Sequence, residues 1–274
     1  MRHIFTTIIL SVFTIFSIGA ANPSDEYFSL MGQADKAIKD GKWEEAEKHL
    51  KHAMSIEPGN PSNVLLMSNL GMVQYYDGRD AEALGTLNSA HIMAPSSVTV
   101  LQNRAKILTA LGRISEAEAD YQTIISLDST LIEPRFYKAM ITLGTNNLTA
   151  VEQEISTMQR IDPAHRLTYL AQATRLTHIG KYSEAITPLS KLIELSPESS
   201  YYGSRALCHL MTSQLPEAAD DIARGLELDP TDGELYLYRA MLNKMRYRQA
   251  DAQADGEKAI KFGVPSDRVK AILK

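Results

Sequence analysis

Apolar residues recur at helical spacing along most of this chain, and the stretch 180–197 shows the pattern most clearly. Its apolar side chains return every three or four residues, as they do on one face of an α-helix. The stripe consists of Tyr182, Ala185, Leu189, Leu192 and Leu195. Gly180 precedes the stripe and Pro197 follows it, and these residue types mark helix boundaries. The stretch therefore predicts a helix with one buried face.

The same pattern returns at intervals of about 34 residues, which indicates an internal repeat. The small residue of the stripe belongs to the series Ala46, Ala83, Ala117, Val151, Ala185, Ala218 and Ala252. A second series of small residues lies 12 positions earlier and consists of Ala34, Gly71, Ala105, Ala139, Ala173, Ala206 and Ala240. Two antiparallel helices approach closely only where neither carries a bulky side chain. Each unit is therefore predicted to be a helical hairpin.

Turn residues divide each hairpin and close it. The turns contain Gly41, Gly78, Gly112 and Gly180, replaced in other units by Asn146, Ser213 and Tyr247. The closing prolines are Pro58, Pro95, Pro163, Pro197 and Pro230. These features resemble the tetratricopeptide repeat (TPR) family, in which a small residue lies in each helix, a Gly between them and a Pro at the end. The resemblance covers 27–266 and implies an all-α, right-handed solenoid of seven helix-turn-helix repeats.

The repeat register divides the chain into four kinds of segment. We predict a signal peptide at 1–21, a linker at 22–26, seven repeats, and a capping helix at 267–274. The predicted repeats are 27–63, 64–97, 98–131, 132–165, 166–198, 199–232 and 233–266. The last helix is expected to cover the exposed end of the repeat stack, as terminal elements of solenoids do.

The N-terminus has the composition of a secretory leader. Met1, Arg2 and His3 carry a positive charge, an apolar run follows at 4–18, and small residues precede a cleavage site after Ala21. We therefore expect an exported protein with a bacterial type of leader, either periplasmic or secreted. An uncleaved membrane anchor is the alternative, because the run is near the lower length limit for spanning a bilayer.

Composition excludes several classes of protein. With 274 residues, 44% hydrophobic and 22% charged, the chain is neither disordered nor fibrous. The net charge of −5 argues against a surface that binds nucleic acid. Cys208 is the only cysteine, so neither an internal disulfide nor a multi-cysteine metal site is possible. Its position near a helix middle predicts a small buried core residue.

The sequence lacks the common motifs of catalysis. There is no glycine-rich phosphate loop, no H-E-x-x-H and no G-x-S-x-G, so we predict neither an enzyme nor a cofactor. His49 and His52 lie three residues apart and are interpreted as a solvated pair, with a metal site as the alternative. Asp229, Asp232 and Glu234 lack the alternating oxygens of a calcium loop, so they predict a helix-capping turn.

The family resemblance implies that the first helix of each repeat lines a concave groove. The predicted binding residues are Met31, Met72, Tyr75, Tyr76, Phe136, Met140, Leu170, Met211 and Met241. The register also turns inward Asp35, Ser68, Gln102, Lys106, Thr109, Thr174, Leu207, Leu210, Leu237 and Met245. Flexible methionines suit a surface that accepts apolar partners of varied shape. The alternative is that many of these side chains pack between adjacent first helices.

These observations predict a non-enzymatic, exported scaffold that binds a peptide or protein segment in the groove, without nucleic acid and without membrane insertion after cleavage of the leader. The family's best-known ligand mode grips a carboxylate with Lys, Arg and Asn. The matching places here hold Met31, Asp35, Asn69, Thr99 and Asn103, of which only Asn69 fits, so a chaperone adaptor of that type is not expected. The alternative function is a structural or assembly subunit of a cell-envelope or secretion complex that uses its convex face.

Overall fold

The computed structural model describes residues 24–274 and contains fifteen α-helices and no strand within that range. The helices are α1 Asp25–Lys39, α2 Trp43–Ile56, α3 Asn63–Tyr76, α4 Asp80–Met93, α5 Val98–Ala110, α6 Ile114–Leu127, α7 Ile132–Gly144, α8 Leu148–Ile161, α9 Arg166–His178, α10 Tyr182–Leu195, α11 Ser199–Met211, α12 Leu215–Leu228, α13 Gly233–Met245, α14 Gln249–Lys261 and α15 Ser266–Leu273. The first fourteen alternate as seven pairs joined by short turns. The predicted all-α fold of seven helix-turn-helix repeats with a C-terminal helix is confirmed. The predicted signal peptide at 1–21 lies outside the described residues.

A residue in the left-handed region allows the sharp turn inside each repeat. The φ angle is +70° at Gly41, +84° at Gly78, +73° at Gly112 and +75° at Gly180. The three predicted replacements adopt the same conformation, with φ of +60° at Asn146, +60° at Ser213 and +59° at Tyr247. Glycine reaches this region without steric cost, whereas a side chain such as that of tyrosine is strained there.

The described residues form two compact units, 24–141 and Thr142–Lys274, called unit 1 and unit 2. In unit 1, α1 packs on α2, α3 packs on α4 and α5 packs on α6. The predicted crossing residues Ala34, Ala46, Ala83, Ala105 and Ala117 are all buried. At Gly71 the approach is so close that a Cβ atom would lie 2.7 Å from Cγ of Leu87. Small residues therefore permit the close helix contacts that the sequence predicts.

Unit 2 continues the pattern with α9 on α10, α11 on α12 and α13 on α14, and α15 packs on α13 and α14. Val269 of α15 is buried, and a Cβ atom at Gly256 would lie 2.9 Å from its Cγ1. The glycine in α14 therefore admits the side chains of the last helix. Cys208 is fully buried in α11, as predicted. The predicted capping helix is present and covers the end of the seventh repeat.

Candidate binding surface

The predicted groove residues of unit 1 are mostly packed against their neighbours. Met72 is 7% exposed and Phe136 is 8% exposed, so neither side chain offers much surface to a ligand. Tyr76 stacks on Trp43 with ring centroids 5.4 Å apart, and Tyr75 meets Tyr76 edge-on at 5.6 Å. The half-buried positions are Met31 and Met140. A binding role for these residues stays a prediction.

Charged and polar groups interrupt the same face of unit 1. Lys39 pairs with Asp35 at 2.6 Å. The ammonium of Lys106 lies 5.9 Å from the ring centroid of Tyr137. Burial lowers the pKa of Lys106, and the nearby carboxylate of Glu133 partly opposes this effect. A partner segment on this face would therefore meet a mixed polar surface and not a continuous apolar one.

The first helices of unit 2 present a more continuous apolar surface. Leu207 and Met211 lie one turn apart on α11, and Met241 and Met245 occupy the equivalent places on α13. Helices α11 and α13 are in contact. Met211 is 49% exposed and Met245 is 40% exposed, whereas Leu207 and Met241 are half-buried. We call these four residues the methionine face.

The remaining inward positions of unit 2 contribute little apolar surface. Leu210 and Leu237 are buried in the core. Leu170 is half-buried and packs against the core formed with α10. The positions on α9 that correspond to the methionine face hold Thr174 and His178, so the apolar row ends there. The predicted set therefore divides into packed residues and a small accessible group.

The candidate metal residues have ordinary structural contacts. Oδ1 of Asp229 accepts hydrogen bonds from the backbone N–H and the hydroxyl of Thr231 at 2.8 and 2.7 Å. Oδ1 of Asp232 accepts from the backbone N–H groups of Glu234 and Leu235 at 3.0 and 3.3 Å, so Asp232 caps α13 as predicted. Between residues 24 and 274, no group of three or more His, Cys, Asp or Glu side chains is placed to hold a metal ion.

A shallow cleft of about 540 Å³ runs along α8 beside α9. Its lining residues are Leu148, Thr149, Glu152, Gln153, Ser156, Thr157, Arg160 and Arg175. Nη2 of Arg175 pairs with Glu152 at 2.6 Å, and Nη2 of Arg160 donates to the Thr157 hydroxyl at 3.0 Å. Both arginines of the cleft thus bind other residues that line it. The sequence analysis did not predict this cleft.

Comparison with known proteins agrees with the fold. The family model described as a tetratricopeptide repeat matches residues 98–131, the third predicted repeat. The crystal structure of a tetratricopeptide repeat protein from Parabacteroides merdae superposes on this chain with a TM-score of 0.72. The two sequences are 27% identical, and the match covers 91% of this chain and 98% of that protein's chain. One repeat of this chain therefore matches the tetratricopeptide repeat family, and the described residues share the fold of a tetratricopeptide repeat protein.

Curated relatives cover most of the chain at low identity. The mitochondrial import receptor subunit TOM34 of Rattus norvegicus is 24% identical over 260 residues, which are 77% of this chain and 83% of that protein. TOM34 of Homo sapiens is 21% identical over 253 residues, with 75% and 81% covered. Both relatives are mitochondrial import receptor subunits by name.

The prediction of an exported, periplasmic or secreted protein is wrong. The relatives that align over about four fifths of their own length are mitochondrial import receptor subunits, which are neither periplasmic nor secreted. The prediction depended only on the N-terminal pattern of a positive charge at 1–3, an apolar run at 4–18 and small residues before the cleavage site after Ala21. None of the helices in residues 24–274 is long and apolar enough to cross a membrane.

Proposed function

We propose that this protein is a non-enzymatic scaffold that binds an apolar segment of a partner protein on the methionine face. The observation that carries the proposal is the accessible apolar row on two neighbouring first helices, with Met211 49% and Met245 40% exposed. Exposed apolar side chains that cluster on one face are typical of interaction surfaces. Methionine adapts its shape to different partners because its side chain is unbranched and flexible.

Neighbouring surfaces support the choice of unit 2. In unit 1 the places equivalent to Leu207 and Met241 hold Met72, which is buried, Lys106, which is charged, and Met140, which is half-buried. In unit 2 the first helices α11 and α13 each place two uncharged apolar side chains on this face. A partner with two or more apolar anchors therefore finds apolar positions on neighbouring first helices where Leu207, Met211, Met241 and Met245 lie.

The strength of such binding follows from burial. Each partner side chain that becomes fully buried contributes about 1.5–3 kcal/mol, so four anchors contribute roughly 6–12 kcal/mol. Association consumes about 4 kcal/mol or more, and a short segment is therefore expected to bind at about micromolar strength or weaker. Since no charge attraction is involved in the apolar contact, this part of the affinity should persist when salt screens charges.

An assembly role for the second helices is the alternative function. Several second helices end in an apolar residue that is about half exposed, and these residues are Met93, Leu127, Leu195 and Leu228. A partner that joined the protein through these ends would leave the methionine face free. The two functions therefore predict different effects for substitutions on the two surfaces.

Selection from a random library of displayed peptides on the full-length protein tests the proposal. Bound peptides should be rich in Leu, Met, Phe or Trp, and Met211→Gln with Met245→Gln should weaken them by about tenfold or more, since two anchors are lost. Leu195→Gln with Leu228→Gln is the matched control, because these residues have similar exposure on second helices. Weakening by the control pair alone would favour the assembly role. Binding that both pairs leave unchanged would contradict both functions.

A further inference from the structure

The turn that follows the methionine face displays an aromatic side chain in a strained conformation. Tyr247 is 96% exposed and has a φ angle of +59°. Glycine occupies this place in four of the seven repeats, at Gly41, Gly78, Gly112 and Gly180. A bulky side chain that persists in this conformation without any packing of its own suggests a function outside the fold.

The neighbouring contacts fix this turn beside the methionine face. Nη2 of Arg246 donates to the backbone oxygen of Leu215 at 3.0 Å, which ties the turn to the start of α12. Met211 ends α11 shortly before Leu215, and Met245 ends α13 directly before the turn. The turn therefore follows Met245 directly, and its contact at Leu215 lies four residues beyond Met211 in the chain.

The same region is basic within an acidic protein. Residues 233–274 contain nine Lys and Arg against five Asp and Glu, while the whole chain has a net charge of −5. Arg248 is exposed, and no ion pair is recorded for it within residues 24–274. The Lys244 ammonium donates to the backbone oxygen of Ile272 at 2.7 Å and has no carboxylate partner there.

Two of the five acidic groups of this region are paired with cations of the same region. Arg239 and Asn243 bind the Asp255 carboxylate, and Arg268 binds the Glu234 carboxylate. Asp251, on the first turn of α14, is the nearest acidic residue to Arg248 in the chain. Lys244, Arg246 and Arg248 form no ion pair with a carboxylate within residues 24–274, so the basic turn, defined as Lys244–Arg248, carries three positive charges.

We propose that the basic turn docks acidic residues that flank the apolar segment of the partner protein. This inference depends on the proposed function and adds the chemistry of the partner, a segment in which Asp or Glu lies next to the apolar anchors. Tyr, Met and Arg are enriched in the centres of protein interfaces. An anionic membrane surface is a weaker match, because one aromatic ring and two methionines bury little area in a bilayer.

Parallel peptide selections on three full-length proteins test this inference. The proteins are the wild type, the double variant Tyr247→Gly with Arg248→Gln, and the double variant Met211→Gln with Met245→Gln. On the wild type, apolar residues should be enriched together with flanking Asp or Glu. On the Tyr247→Gly, Arg248→Gln variant the apolar enrichment should remain and the acidic enrichment should disappear. The advantage of an acidic flank, about tenfold in Kd at low salt, should vanish at about 0.5 M salt.

A structural role for Tyr247 is tested by stability and by a matched variant. Tyr247→Gly relieves the left-handed strain, so the melting temperature should not fall while binding of acidic peptides weakens. Asn146→Gly makes the same backbone change in another turn and should leave binding unchanged. The inference is overturned if acidic residues are not enriched on the wild type, or are enriched equally on the wild type and on the Tyr247→Gly, Arg248→Gln variant. Either result leaves the proposed apolar binding on the methionine face unaffected. Loss of apolar enrichment everywhere overturns the proposed function instead.

Vesicles containing phosphatidylserine provide the remaining arm of the test. The wild type and the Tyr247→Gly, Arg248→Gln variant should bind them equally weakly. If the wild type bound these vesicles strongly and the Tyr247→Gly, Arg248→Gln variant did not, the inference would be overturned. The basic turn would then recognise a membrane surface and not a protein segment.

Discussion

Arg205 and Asp221 form a bidentate ion pair that joins the two helices of the sixth repeat. Nε and Nη2 of Arg205 donate to the two carboxylate oxygens at 2.9 and 2.7 Å, and Nη1 donates to the Ser190 hydroxyl at 2.9 Å. The Asp221 side chain is almost completely buried. Its hydrogen bonds to Arg205 raise the pKa of that guanidinium above its usual range. The same geometry recurs 16 residues apart in Arg104–Asp120 and Arg239–Asp255.

Removing the buried carboxylate of Asp221 should destabilise the protein strongly. Asp221→Ala leaves the Arg205 cation partly buried without its partner, and such a change costs about 3–5 kcal/mol. Urea denaturation gives the free energy of unfolding for wild type and variant. Glu227→Ala is the control, because Glu227 pairs with Arg224 at 2.9 Å on the exposed side of the same helix. An exposed pair contributes about 0–1 kcal/mol, so equal losses in the two variants would contradict the assigned role of Asp221.

The fold could be predicted from the sequence because its determinants are local and repeated. The spacing of small residues specifies where two helices cross, and Ala105 and Ala117 are buried as that spacing requires. The turn residues specify where the chain must adopt a positive φ angle, including Tyr247, which replaces glycine. The buried ion pairs were missed although they left a signal, since Arg205 precedes one small crossing residue and Asp221 follows the other by three positions.

The binding surface could be predicted only in part because exposure depends on neighbouring helices. Met72 and Met241 occupy equivalent register positions, yet Met72 is buried among residues of α4 and α5 whereas Met241 is half-buried. Register specifies the direction of a side chain, but the bulk of residues on the next repeat decides whether it is covered. A substitution such as Met72→Glu would therefore test folding and not binding.

Two helix-interior glycines should respond in opposite ways to the same substitution. In Gly225→Ala the added Cβ atom would lie 2.6 Å from Cδ1 of Leu235, which is fully buried. Overpacking of this kind costs about 1–3 kcal/mol, which outweighs the gain of about 1 kcal/mol in helix propensity. We therefore expect Gly225→Ala to lower the free energy of unfolding, measured by urea denaturation.

Gly85→Ala is the matched control for this prediction. Gly85 lies inside α4, is exposed, and has no atom within 4 Å of an added Cβ. The substitution should raise the free energy of unfolding by about 1 kcal/mol through helix propensity alone. If both variants were stabilised to the same extent, Leu235 would not occupy the space beside Gly225 and the packing of α12 on α13 would differ from this structure.

The Tyr27 phenol should make the protein less stable in alkali. Its hydroxyl donates to Oδ1 of Asn63 at 2.9 Å, and both residues are buried. Burial, assisted by the negative charge of Glu57, raises the pKa of Tyr27 from 10.0 to about 12. Below pH 10 the folded and the unfolded chain both keep the proton, so this group contributes its full stability there. Between pH 10 and 12 the unfolded chain releases the proton while the folded chain retains it, so stability falls as pH rises.

Urea denaturation of the wild type and of Tyr27→Phe between about pH 8 and pH 12 measures what the Tyr27 phenol contributes to the free energy of unfolding. At pH 8 the variant should be less stable by about 1–3 kcal/mol, because Oδ1 of Asn63 loses its buried donor. The difference in the free energy of unfolding should shrink as pH passes from 10 to 12. The wild type loses the stability that depends on the Tyr27 proton, whereas phenylalanine has no proton to release. If the two curves instead ran parallel over this interval, the fold would not raise the pKa of Tyr27, and its burial beside Glu57 would have no effect on stability in alkali.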